Sequence, residues 1–74
     1  MEFRPEEVII KEFGKKLQQI RTEKGLSLRE LAHRADLSHN AIFEIEKGIV
    51  NTSLTTIVRL AEALQVPPSD LLPS

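Results

Sequence analysis

The chain has 74 residues and a mass of 8.4 kDa, which leads us to expect one small domain spanning 1–74 with a core within 13–72. It contains no cysteine, which excludes a disulfide framework, a thiol nucleophile and a thiolate zinc site, and its 41% hydrophobic and 28% charged content fits a folded rather than a disordered chain. The net charge of −1 hides an uneven distribution: −2 over residues 1–10, +4 over 11–34 and −3 over 35–74.

Periodicity is helical almost throughout. Pro5 suits the first position of a helix and Glu6 and Glu7 suit the positive end of its dipole. Ile9, Phe13, Leu17 and Ile20 then form one apolar stripe, and Lys24 and Gly25 end the helix, with the glycine in a left-handed cap. Gly14 lies inside that helix, where it costs about 1 kcal/mol relative to alanine, so a close neighbour is expected against it.

Ser27 and Glu30 form an S-x-x-E capping box that starts a second helix at Leu28, with Leu28, Leu31, Ala32 and Ala35 on its inner side. Asp36 tolerates left-handed geometry and ends it; Ser38 caps a third helix over 39–47, closed by Gly48. Ser53 caps a fourth, with Leu54, Ile57, Ala61 and Leu64 on one side, broken by Gln65-Val66-Pro67-Pro68. Ser69 and Asp70 can cap a final turn that presents Leu71 and Leu72. The expected class is all-α: four helices and a terminal turn.

Residues 28–47 carry the functional signal. Two short helices joined by a tight turn make a helix-turn-helix, which needs a small residue at the crossing (Ala32), a positive-φ residue four positions later (Asp36) and branched anchors beneath the second helix (Ile42, Ile45). On a helical wheel Ser38, Ala41, Ile42, Ile45 and Ile49 share the core side, while His39, Asn40, Phe43, Glu44 and Lys47 spread over the opposite side with Phe43 near its centre.

The segments LQQIRTEKGLSLRELA (17–32), LSHNAIFEIEKG (37–48) and NTSLTTIVRLAEALQVPPSDLL (51–72) resemble the Xre/Cro/CI family of lambdoid repressor-like regulators, small bacterial or phage proteins that include restriction-modification controllers. The resemblance implies a compact five-helix domain whose third helix enters the DNA major groove, usually as a symmetric dimer on a palindromic operator. It also implies a structural salt bridge between Arg21 and Glu46, and pairing through the C-terminal helices, for which Leu60, Val66, Leu71 and Leu72 are the candidates. Three positions depart from the family pattern: Leu28 stands where glutamine often helps hold a phosphate, Asp36 replaces the turn glycine, and Gln65 replaces the glycine after helix four.

Base edges have chemical counterparts in His39 (guanine), Asn40 (adenine N6 and N7), Phe43 (the thymine methyl) and Glu44 (cytosine N4). Arg29, Ser38, Lys47 and the run Asn51, Thr52 and Ser53 at the start of helix four are the candidate phosphate contacts. The expected partners are double-stranded DNA and a second copy of the chain.

Enzyme chemistry is not expected. His33 and His39 are the only histidines, and there is no carboxylate pair placed for acid–base work and no glycine-rich phosphate loop. No metal, cofactor or small-molecule substrate is implied. No apolar run approaches the roughly 20 residues that cross a bilayer, and the N-terminus lacks the pattern of a secretory signal, so the expected location is the cytoplasm. The rival reading is a protein-interaction module, antitoxin-like or an adaptor, built on the same scaffold; the acidic balance, Glu44 and an exposed Phe43 favour it.

Overall fold

A computed structural model describes residues 3–73; Met1, Glu2 and Ser74, the outer limits of the expected domain, lie outside the described residues. The described residues form four α-helices, α1 (Glu6–Glu23), α2 (Leu28–Ala35), α3 (His39–Glu46) and α4 (Leu54–Leu64), followed by a single 3-10 turn (Pro68–Asp70). The fifth helix implied by the family resemblance is therefore reduced to this turn. Pro67 and Pro68 remove two successive N–H donors, and the turn is closed by Asp70 N–H to Pro67 O, Leu71 N–H to Pro68 O and a longer bond from Leu72 N–H to Ser69 O.

Every element sends at least one side chain into the common core: Leu17 from α1, Leu31 from α2, Ile42 from α3, Leu60 and Leu64 from α4, and Leu71 just after the turn, all fully buried. α3 packs against both α1 and α2, while α4 packs against α2 and the terminal turn. Burying each such side chain contributes about 1.5–3 kcal/mol, and in a chain this small the conformational entropy of folding offsets most of that sum.

The helix ends follow local chemistry. Gly25 and Gly48 are both left-handed (φ 72°), and Asp36 (φ 56°) and Gln65 (φ 59°) adopt the same geometry without being glycine. Pro5 is the N-cap of α1 rather than its first helical residue, and Lys47 is the C-cap of α3.

Three apolar positions expected inside lie outside. Ile9 is exposed because the first turns of α1 extend past the core. Leu54 is 77% exposed: the inner face of α4 is Leu60, Ala61 and Leu64, with Ile57 partly covered, so the stripe is rotated from the one that began at Leu54. Ile49 is 63% exposed because the chain leaves helical geometry at Gly48, and a wheel extended beyond that point no longer applies. Conversely, Leu60 and Leu71 have no surface to offer a second copy; both belong to the core of one chain.

Two contacts tie α1 to α3. A Cβ on Gly14 would press into the carbonyl oxygens of Ile45 and Glu46, the latter at 2.9 Å, so the two backbones meet where only a hydrogen fits. About two turns farther along α1, Arg21 donates from Nε to Glu46 Oε2 (2.6 Å) and from Nη2 to Glu46 Oε1 (3.0 Å), while Nη1 donates to the Leu26 carbonyl (2.8 Å). Both side chains of the pair are at most a tenth exposed, and the Glu46 carboxylate holds the guanidinium even further toward its charged form than usual.

Gly14→Ala should lower stability by about 2 kcal/mol, since forcing α1 away from α3 outweighs the gain in helix propensity. Thermal melting followed by circular dichroism would read this as a drop of roughly 10 °C. Arg21→Ala strands a buried carboxylate, for which about 3–5 kcal/mol is the usual loss. The same melt should show it as the more damaging of the two, whereas an unchanged midpoint would remove the pair from its structural role.

Candidate nucleic-acid interface

The helix-turn-helix is assembled from caps. At the start of α2, Glu30 N–H donates to Ser27 Oγ (3.0 Å) and Ser27 N–H donates to Glu30 Oε1 (2.9 Å), a reciprocal capping box whose hydrogen bonds hold the Glu30 carboxyl below the usual carboxylate range. α2 ends as Asp36 turns left-handed and Leu37 N–H bonds back to Ala32 O (2.9 Å), a Schellman closure. Leu37 packs against the core, and Ser38 Oγ then accepts from Ala41 N–H (3.0 Å) to start α3. Asp36 thus fills the role the family gives to glycine. Leu28 also packs partly against the core, so no polar side chain stands where the family often places glutamine.

α3 has one buried and one open side. Ile42 and Ile45 are in the core; Ser38, His39, Asn40, Phe43 and Lys47 are exposed, and Glu44 is half-buried. Phe43 is 42% exposed, with the Lys47 ammonium 5.5 Å from its ring centroid, a cation–π contact that keeps both groups on the open side. The structure therefore brings His39, Asn40 and Phe43 together on one accessible surface. Glu44 is set back from it, lining a groove with Val50, Asn51, Thr52, Ser53 and Thr56.

That groove joins α3 to the start of α4. Ser53 accepts from Thr56 N–H (3.2 Å) and donates its hydroxyl to Thr56 Oγ1 (3.0 Å), so its side chain is committed to the cap. The backbone N–H groups of Leu54 and Thr55, in the first turn of an 11-residue helix, have no intrahelical acceptor and face outward from it. Thr52 is half-buried. The Asn51 amide donates to Glu6 Oε1 of α1 (3.1 Å), a contact across 45 positions that no local pattern announces.

The remaining basic residues are scattered. Arg29 is exposed in the first turn of α2. Arg34 lies beside Asp36, Arg59 and Glu62 between α2 and α4, and Lys16 lies by Ser69 and Asp70 near the terminal turn. Of the four residues expected to pair two copies, Leu72 is exposed and Val66 is partly covered, while Leu54 and Val58 of α4, not expected there, are exposed as well. Among the described residues no group of histidine, aspartate and glutamate could hold a metal ion, and no helix is long and apolar enough to cross a membrane.

Residues 17–71 match the helix-turn-helix family HTH_3. The chain belongs to that family. Its relatives within it include the control protein C.BamHI of Bacillus amyloliquefaciens, 44% identical over 61 residues that span 81% of this chain and 75% of the relative. The crystal structure of the restriction-modification controller protein C.AhdI from Aeromonas hydrophila is similar at a TM-score of 0.84 and 38% identity, covering 85% of this chain and 96% of the other. The clp gene regulator ClgR of Corynebacterium glutamicum is similar at a TM-score of 0.84 and 30% identity, covering 90% and 71%.

This HTH_3 chain is a DNA-binding transcriptional regulator of the Xre type, and the family is one of regulators, not of enzymes. The HTH_3 match begins at Leu17, so Glu6 and the first turns of α1 lie outside the shared segment.

Asn40→Ala and Phe43→Ala should each leave the melting temperature within a few degrees of the parent and weaken binding to a preferred duplex by about 1–3 kcal/mol per base pair read. The loss should fall on that duplex more than on a scrambled one, as a competition assay would show; equal losses on both would mean that these side chains carry no sequence information.

Proposed function

We propose that the chain is a single domain, 1–74, with its helix-turn-helix at 28–47, that binds double-stranded DNA in the cytoplasm sequence-specifically. In this reading α3 enters the major groove, and two copies related by a two-fold axis occupy a palindromic operator. The observation that carries it is the open side of α3. His39, Asn40 and Phe43 are exposed together on a helix held rigidly from beneath, which is the arrangement direct base readout requires. Glu44, half-buried at the edge of that surface, reads a cytosine N4 only where the groove floor reaches it.

Phosphates flank this surface at Arg29, at Lys47, at the Ser38 hydroxyl and at the N–H groups that begin α4, with Thr52 beside them. Ser53 takes part through its neighbours' backbone rather than through its own hydroxyl. Pairing of two copies is supported by the exposed apolar side chains of Leu54, Val58 and Leu72, which a monomer leaves in water. Such a dimer sets its two α3 helices one DNA turn apart, about 34–36 Å.

The exposed Phe43 ring and the net charge of −1 favour a second reading, a protein-interaction module on the same scaffold. Salt separates the two. Two cationic phosphate contacts per copy, four in a dimer, predict that DNA affinity falls roughly a hundredfold between about 50 and 200 mM salt. A contact centred on an aromatic ring changes far less. Selection of bound sequences from random duplex DNA tests the whole reading: enrichment of a two-fold symmetric site is expected, and recovery of no sequence above background would overturn it.

A further inference from the structure

We infer that Glu6 is a built-in competitor of the DNA backbone, holding the Asn51 amide and placing a carboxylate where a phosphate must approach, so that affinity for every duplex is set lower than the α3–α4 loop alone would give. This rests on the DNA-binding reading above and adds to it an affinity-setting residue outside the helix-turn-helix.

The placement follows from α1. Its N-terminal turns run beside the loop between α3 and α4, where the Lys11 side chain packs so closely on Gly48 that a Cβ there would collide with it. About one and a half turns earlier, Glu6 Oε1 accepts from Asn51 Nδ2 at 3.1 Å. Asn51 in turn shares a groove with Glu44 of α3 and with Thr52 and Ser53, which borders the open side of the recognition helix. Arg4 is paired with Glu12, and among the described residues no cation lies within ion-pair distance of Glu6.

An asparagine amide has two N–H donors, one of which is committed to Glu6. A phosphate oxygen accepting from the other would sit roughly 5 Å from the carboxylate oxygen, since both acceptors lie about 3 Å from one nitrogen. Two unit charges at that separation in water repel by an amount that corresponds to about a fourfold loss of affinity per copy, and more than tenfold for two copies on one site. The separation is shorter than the Debye length of about 10 Å at 0.1 M salt, so the effect survives partial screening. Phosphates are the same in every sequence, so Glu6 lowers specific and non-specific binding together and leaves their ratio unchanged.

The test compares the parent, Glu6→Gln, Asn51→Ala, the double variant and Glu7→Gln, each verified as folded by its thermal melt. Fluorescent 20-base-pair duplexes, one of mixed sequence and one carrying the selected site, are titrated at about 50 and 150 mM salt. Glu6→Gln should bind both duplexes at least about fourfold more tightly, with an unchanged ratio between them and a steeper salt dependence. In the Asn51→Ala background the same change should gain less than about twofold, and Glu7→Gln should gain less than Glu6→Gln. Binding by Glu6→Gln no tighter than the parent's overturns the inference alone, as does an equal gain with and without Asn51. Failure of every protein to retain either duplex at the lower salt overturns the DNA-binding reading and this inference with it.

Discussion

The close approach of α1 and α3 governs what the molecule can do. α3 has only eight residues, and a helix of that length is not stable in water by itself. Its orientation is imposed from outside and at its C-terminal end, by the Gly14 contact that brings the two backbones together at Ile45 and Glu46 and by the Arg21–Glu46 pair beside it. A side chain that reads a base must be held to within a fraction of an ångström, so any such reading by α3 depends on the rigidity that these α1 contacts supply. α1 therefore acts as the frame that holds the open side of α3 in place.

Much of this was legible in the sequence because caps are local. Ser27 with Glu30, Ser38, Ser53, Gly25 and Gly48 all stand at the helix ends where their chemistry puts them, and Asp36 adopts the left-handed turn expected of it. Gly14 announced a close neighbour without saying which one. The inner face of α4 was not legible: Leu54, Ile57, Ala61 and Leu64 repeat as well as Ile57, Leu60, Ala61 and Leu64, and only the position of α2 chooses between them. Ile9 fails for a related reason, since a stripe can run on after the core beneath it has ended. The contact from Glu6 to Asn51 depends on two elements 45 positions apart, beyond the reach of any local rule.

Charge behaves differently in the fold than in the chain. The segment 11–34 carries a net +4, yet Arg21 is consumed by Glu46, Arg34 faces the α2–α4 side and Lys16 lies by the terminal turn. The open side of α3 is instead rich in neutral hydrogen-bonding and aromatic groups, with Lys47 drawn over Phe43. A surface of that composition supplies little long-range attraction. Any electrostatic pull on a polyanion must therefore come from the few cations at the rim, such as Arg29 and Lys47, rather than from a broad basic face.

Gln65 holds a backbone conformation that costs a residue with a side chain roughly 1 kcal/mol more than glycine. It does so at the C-terminal end of α4, whereas the groove shared with α3 lies at the other end of that helix. Thermal endurance is thus adjustable at a backbone position two helical turns or more away from that groove. A lineage moving to a warmer habitat could harden the protein at that one codon.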